Sequence, residues 1–476
     1  MPTDRAAPLP TYTNDQIADY LINNPNWIGG ASFNLGASRT LSVDVSALTS
    51  AGRQLATWAL EAWTMVTGIT FTFNQISGSA QITFDDNKPG AFAGPSSYSG
   101  KGGTINSSSV NVSTAWINNY GTGIDSYSFM TYMHEIGHAL GLDHAGDYNG
   151  NAKHRTDSTQ AGDNHYLNDS WQATVMSYFD QSKAGTGSYN YLLTPMIADI
   201  LAMQTLYGVA GTLRTGDTTY GVGSNAGGYY NSNLGASASF TIIDEGGIDK
   251  INFSNVTANQ RVNLAPAAIS DVGGLTGNMI IMRGTIIEKF VSGSGNDDIT
   301  GNTANNILWG GGGADIIRGK AGKDTIYGGD GNDILNGNGK SDLLLGGDGN
   351  DILRGGSGPD LLYGQAGDDT LRGGVGRDKL IGGSGADTFV FKKGWAVDVI
   401  RDFEDNVDTI ELDAALWGNT AMTVSDLLNP ANGYATVVTD HSTLGAHIEL
   451  SFGSSEKLKI FGVSDLNALL DDITIL

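Results

Sequence analysis

The chain has 476 residues, enough for roughly two or three domains, each with a sizeable core. Its formal charge of −24 argues against nucleic acid or an anionic membrane as a partner and suits the uptake of divalent cations. The absence of cysteine excludes disulfides and thiol catalysis, and the 68 glycines, about double the usual share of roughly 7%, must be concentrated somewhere special.

The start, Met1-Pro2-Thr3-Asp4-Arg5, lacks the basic and apolar pattern of a conventional signal peptide. Residues 1–15 read as a disordered N-terminus or short propeptide. No apolar stretch is long enough to span a bilayer. Ala51 to Thr67 has helical periodicity, with Leu55, Trp58, Ala62 and Met65 on one face and Gly68 as the stop. Ile69 to Phe73 alternates as a strand, and Gln81 to Phe84 reads likewise; Gly90-Ala91-Phe92-Ala93-Gly94-Pro95 follows.

The densest chemical signal is His134-Glu135-Ile136-Gly137-His138-Ala139-Leu140-Gly141-Leu142-Asp143-His144, which reads H-E-x-x-H-x-x-G-x-x-H. On a helix spanning Ser126 to Leu140, with Phe129, Met133, Ile136 and Leu140 buried, His134 and His138 share one face and can point at one cation. A third ligand on the same helix would rotate away. Gly141 permits a left-handed residue that stops the helix, so His144 arrives from another direction. Three neutral imidazoles suit one Zn²⁺ and leave a position for water, which zinc acidifies while polarising a scissile carbonyl. Glu135 stands where a general base, then acid, is needed. His154 and His165 lie in a polar loop and read as surface residues.

Downstream, Thr174-Val175-Met176-Ser177-Tyr178-Phe179 supplies a methionine-bearing turn. Together with the histidine run it resembles the serralysin family of secreted bacterial metzincin proteases. The resemblance implies that Met176 floors the zinc site and that Tyr178 ligates zinc at rest and swings away to hydrogen-bond the oxyanion. It also implies that the strand through Ala91, Phe92 and Ala93 forms the cleft rim and pairs with substrate backbone, giving broad specificity.

A helix beginning with Thr194 as N-cap and Pro195 at its first position runs to Gly208 and resembles the one closing that family's catalytic domain. Arg214, Gly216 and Thr218, with Asp244, Gly246, Gly247 and Asp249, resemble a family calcium site outside the repeats.

From Ser292 to Val390 the chain repeats every nine residues, approximating G-G-x-G-x-D-x-U-x with U apolar. The acid recurs at Asp297, Asp315, Asp324, Asp333, Asp342, Asp351, Asp360, Asp369, Asp378 and Asp387, and the apolar position at Ile299, Leu308, Ile317 and onward to Phe389. Each unit is a glycine turn and a short strand. Turn carbonyls and carboxylates are hard oxygen ligands that suit Ca²⁺, and the apolar residues fill a narrow interior. The repeats resemble a parallel β-roll in which an ion sits between units two apart, as between Asp333 and Asp351. The unit at Gly301 lacks the acid, and Lys340 replaces a turn glycine, which puts sites there in doubt.

The expected fold is therefore an α+β metzincin catalytic domain followed by an all-β parallel β-roll. The boundaries read as 16–210 for the protease, 211–291 for a connecting β segment with a calcium site, 292–390 for the roll and 391–476 for a C-terminal β cap. The resemblance implies one-step (type I) export to the extracellular medium on an uncleaved C-terminal signal. The tail Asp471-Asp472-Ile473-Thr474-Ile475-Leu476 is like such a signal, and equally like a last buried strand. The implied partners are protein or peptide substrates, the export apparatus and a proteinaceous inhibitor. Nucleic acid and stable membrane insertion are not expected, and the chain reads as a monomer.

Overall fold

The computed structural model describes residues 9–24, 27–73, 80–148, 152–154, 163–211, 213–231, 234, 238–417, 422–438, 447–452 and 455–476. Two compact units emerge: residues 1–247 with 267–285, and residues 248–266 with 286–476. The segment 211–291 thus contributes to both.

In the first unit, the parallel strands Ser32–Phe33, Thr104–Val112, Ile82–Asp85, Thr40–Asp44 and Thr70–Phe73 lie side by side in that order. Ala91–Tyr98 adds antiparallel to Thr104–Val112 as an outer strand. The helix at the first predicted position spans Ser50–Thr67, is capped by the Thr49 hydroxyl and ends at left-handed Gly68. Leu55, Ala62 and Met65 are buried as its periodicity requires, whereas Trp58 is half-buried. The indole of Trp63 donates to the Met133 carbonyl at 3.0 Å, tying this helix to the one that carries the histidines.

That second helix spans Tyr127–Ala139, with the Ser126 hydroxyl accepting from Phe129 N. Its last carbonyls, unpaired by helix geometry, find side-chain donors. Ser108 Oγ donates to Ala139 O at 2.7 Å, and Tyr207 Oη to Leu140 O at 2.6 Å. The predicted Thr194 start for the closing helix needs correction. The helix spans Ile197–Tyr207, with Met196 as N-cap. Thr194 Oγ1 instead accepts from Thr241 N, so a neighbouring strand has taken the hydroxyl from the local cap.

The second unit is a β-roll. Strands alternate between two parallel sheets, and each pairs with the strand two units away, as Ile326 with Leu344 and Leu335 with Leu353. Leu308, Ile326, Leu344, Leu362 and Leu380 line the interior from one sheet, and Ile317, Leu335, Leu353 and Leu371 from the other; each is fully or almost fully buried. The tail contributes the strand Ile473–Ile475, parallel to Thr409–Leu412 at the edge of its sheet; only Ile473 is buried, so the segment is a strand but not the buried one expected. Among the described residues no helix is long and apolar enough to cross a membrane.

Candidate metal centre

The helix presents His134 and His138 on one face, and Gly141, at φ 112°, turns the chain so that His144 returns to them. A side chain at 141 would also strike the Ala31 carbonyl, with a Cβ only 2.5 Å from it. His138 Nε2 lies 3.1 Å from His134 Nε2 and 3.0 Å from His144 Nε2. The opposite nitrogens face carbonyls: His134 Nδ1 lies 2.9 Å from Val175 O, and His138 Nδ1 lies 2.8 Å from Leu142 O. Each carbonyl requires a proton on its Nδ1, which leaves an Nε2 lone pair directed inward. Burial drives the imidazoles to the neutral form, lowering His134 to about 4 and His144 to about 3, with His138 well below its ordinary value. The two lone pairs of His134 and His138, 3.1 Å apart, repel one another unless a cation sits there. This donor set fits Zn²⁺.

Glu135 is buried beside them, and its Oε2 has no hydrogen-bond partner. Burial alone pushes its carboxyl up to about 8. It lines a cavity of about 520 Å³ with Gly90, Ala91, His134, Tyr178 and the aromatic walls Trp116, Tyr127 and Trp171. Phe92 and Ala93, the next residues of the same outer strand, line a neighbouring groove with Trp27, whose ring centroid is 5.5 Å from that of His138.

Tyr178 stands over the site, its ring centroid 4.7 Å from His144 and 5.7 Å from His134. Burial pushes its phenol up to about 12, so it stays a proton donor at neutral pH. Met176 is fully buried beneath, and it explains Gly137, which the motif spacing leaves unassigned. A Cβ at 137 would lie 2.5 Å from Met176 Sδ. His165 instead pairs with Asp147 at 3.4 Å, and His154 packs on Phe179. Neither joins the three histidines, the one cluster of three or more His, Asp or Glu side chains with converging ligand atoms among the described residues.

Sequence reasoning missed two buried carboxylates that hold the methionine turn. Asp199 accepts from Thr174 Oγ1, Val175 N and Met196 N. Asp169 accepts from Ser177 Oγ and Tyr148 Oη. An acid three residues after a helix N-cap is the only local signal for Asp199, and it reads as ordinary capping.

In the roll, each repeat aspartate uses one oxygen structurally: Asp351 Oδ1 accepts from Asp333 N at 2.8 Å, and the pattern recurs along both sheets. The other oxygen, Oδ2 of Asp315, Asp324, Asp333, Asp342, Asp351, Asp360, Asp369 and Asp378, is buried without a partner. These oxygens face carbonyls. A Cβ placed on Gly328 would lie 2.3 Å from Asp333 Oδ2 and 2.4 Å from Gly346 O, and Gly346 and Gly355 repeat the arrangement. Buried acceptors sharing a space with no donor fit a hard cation such as Ca²⁺. Asp297 differs, because both its oxygens already accept, from Gln260 N and Ser292 Oγ. Asp387 Oδ1 accepts from Asp369 N. Where Asn306 replaces the acid, its Oδ1 accepts from Asn302 N and its Nδ2 donates to Ile287 O and Glu288 O, so that turn is satisfied by amides. Lys340 occupies its glycine position at φ 80°.

Outside the repeats, Asp244 is buried, taking Gly246 N on Oδ1 and Tyr220 Oη on Oδ2, and Gly247 abuts the Gly216 carbonyl. Thr218 Oγ1 donates to Gly216 O. Arg214, at φ 51°, donates its guanidinium to Ala226 O, Met65 O and Ile243 O. Asp249 is buried in the second unit, its amide donating to Glu288 Oε2.

The profile of the family described as Peptidase M10 serralysin C terminal matches residues 210–464. The chain belongs to the M10 serralysin family. Its serralysin relatives include Metalloprotease AprA of Pseudomonas entomophila, 37% identical over 63% of this chain and 66% of that protein. Metallopeptidase AprA of Pseudomonas marginalis is 36% identical over 63% of this chain and 67% of its own length. A serralysin of a Photorhabdus species is 40% identical over 53% of each chain. The chain thus spans between about half and two thirds of the length of these relatives.

Proposed function

We propose that this chain is a secreted zinc endopeptidase whose roll is stabilised by calcium. The observation that carries the reading is the convergence of three neutral imidazole Nε2 atoms beside a buried, unpartnered Glu135 in an open cavity. The relatives' names, metalloprotease and serralysin, support the same reaction class.

His134, His138 and His144 would hold the zinc, which when bound supplies Lewis acidity toward a water and the scissile carbonyl. Glu135 takes the proton of the attacking water and returns it to the leaving amine. Its lack of a competing hydrogen bond leaves it free for that transfer. Tyr178, a protonated phenol beside the histidines, donates to the oxyanion that develops at the carbonyl. The outer strand through Ala91, Phe92 and Ala93 has one edge on Thr104–Val112, and its other edge pairs with substrate backbone. Main-chain pairing ignores side chains, which gives broad specificity within the limits set by the aromatic cavity.

The calcium reading rests on the orphaned Oδ2 atoms of the repeat aspartates. Within the first unit, the segments Arg214–Thr218 and Asp244–Gly247 add a further calcium position. Export by the one-step route, with the tail as its signal, completes the proposal, and a proteinaceous inhibitor remains an expected partner.

A metal census of the purified protein with a casein digest tests this. One zinc and several calcium ions per chain are expected. Glu135→Gln should keep its zinc while losing about 10²- to 10⁴-fold in kcat. A variant with full proteolysis would sink the mechanism, and a wild-type chain without zinc would sink the reading.

A further inference from the structure

We propose that Thr174 and Asp199 are positioning residues for the zinc ligand His134, acting through the peptide between Val175 and Met176. The inference rests on the reading that His134 binds zinc. His134 Nδ1 lies 2.9 Å from Val175 O. The N–H of that same peptide, on Met176, donates to Thr174 Oγ1 at 2.9 Å. Thr174 Oγ1 in turn donates to Asp199 Oδ1 at 2.5 Å. A peptide is a rigid plane, so a bond that fixes its N–H also fixes the direction of its carbonyl. The second carboxylate oxygen anchors the chain on either side, accepting Val175 N and Met196 N at 2.8 Å each.

Every member of this series is sealed from solvent: Thr174, Val175, Met176 and Asp199 are all 0% exposed. Water cannot replace a lost bond there, so breaking one link leaves the peptide free to tilt. The tilt would release His134 Nδ1–H and, with it, the tautomer and ring angle that aim Nε2 at the metal. His138 provides an internal control. Its Nδ1 is held by Leu142 O, which has no link to Asp199.

The test uses full-length protein with labelled histidine. Zinc affinity is measured by competition with a chromophoric chelator, and exchange of the two Nδ1 protons is followed by NMR in the zinc-free state. Thr174→Val and Asp199→Ala should weaken zinc binding about tenfold and speed exchange at His134 while leaving His138 unchanged. Thr174→Ser, which restores the hydroxyl, should recover both values. General loosening would instead move both imidazoles together and overturn the proposal, as would zinc affinity within about twofold of wild type. If Asp199→Ala does not fold, the Thr174 pair decides alone. A wild-type chain that binds no zinc, or a His134→Ala chain that binds it equally well, would refute the parent reading instead.

Discussion

At the scale of single residues, Gly137 shows two effects in opposition. Alanine in a helix interior is worth about 0.5–1 kcal/mol over glycine. Here its Cβ would press within 2.5 Å of Met176 Sδ, a sulfur with no room to retreat because Met176 is fully buried. Overpacking of that kind costs about 1–3 kcal/mol, so the steric cost wins. Gly137→Ala should therefore destabilise the protein by about 1–2 kcal/mol in a denaturant melt. The histidines of the run were legible because their geometry is local: spacing alone places His134 and His138 on one face. Tyr178, Thr174 and Asp199 were less so. The Thr174–Asp199 bond joins residues 25 apart, and no periodicity announces a contact made by folding.

At the scale of elements, the repeat register predicted the roll strand by strand, because a nine-residue period fixes which residues face inward. It could not predict that Asp297 would be saturated by Gln260 and Ser292, since that depends on a preceding segment. The helix start at Met196 was missed for a similar reason, with Thr194 drawn to Thr241. The roll's acids carry a prediction of their own. Asp351→Asn keeps the oxygen that accepts Asp333 N and removes the charge whose Oδ2 is orphaned. In chelator this variant should melt above wild type, and in excess calcium below it. The same sign at both conditions would argue against a calcium role for Asp351.

The pH response follows from the same carboxylates. Burial raises Asp315, Asp333, Asp360 and Asp369 to about 7, and Asp342 and Asp351 to about 6, from an ordinary value of 3.8. A carboxyl whose folded value is raised contributes stability below its ordinary value and loses it as pH rises through the folded one. The metal-free roll should thus be most stable near pH 4 and lose stability toward pH 7, as thermal melts in chelator would reveal. Calcium needs the ionised form, so its apparent affinity should rise across the same window with proton release.

At the scale of the whole molecule, the roll and the histidine unit differ in what holds them. Adjacent parallel strands lie about 4.8 Å apart. Two carboxylates at that spacing repel by about 3 kcal/mol at an effective dielectric of 20. One buried leucine or isoleucine per turn returns only about 1.5–3 kcal/mol, before the backbone entropy of a glycine-rich turn is counted. Without cations at neutral pH, the roll's interior cannot offset its own charge. The described residues of the first unit form no such ladder, and its core is built from Trp63, Phe129, Tyr132 and their neighbours. Hydrogen exchange in strong chelator should then show amides of Ile307–Phe391 losing protection while those of Tyr127–Ala139 keep theirs. Simultaneous loss in both segments would mean that the roll does not depend on calcium separately from the rest of the chain. Retention in both would mean that the aspartates are neutral in the folded roll and the cation sites are not needed for its stability.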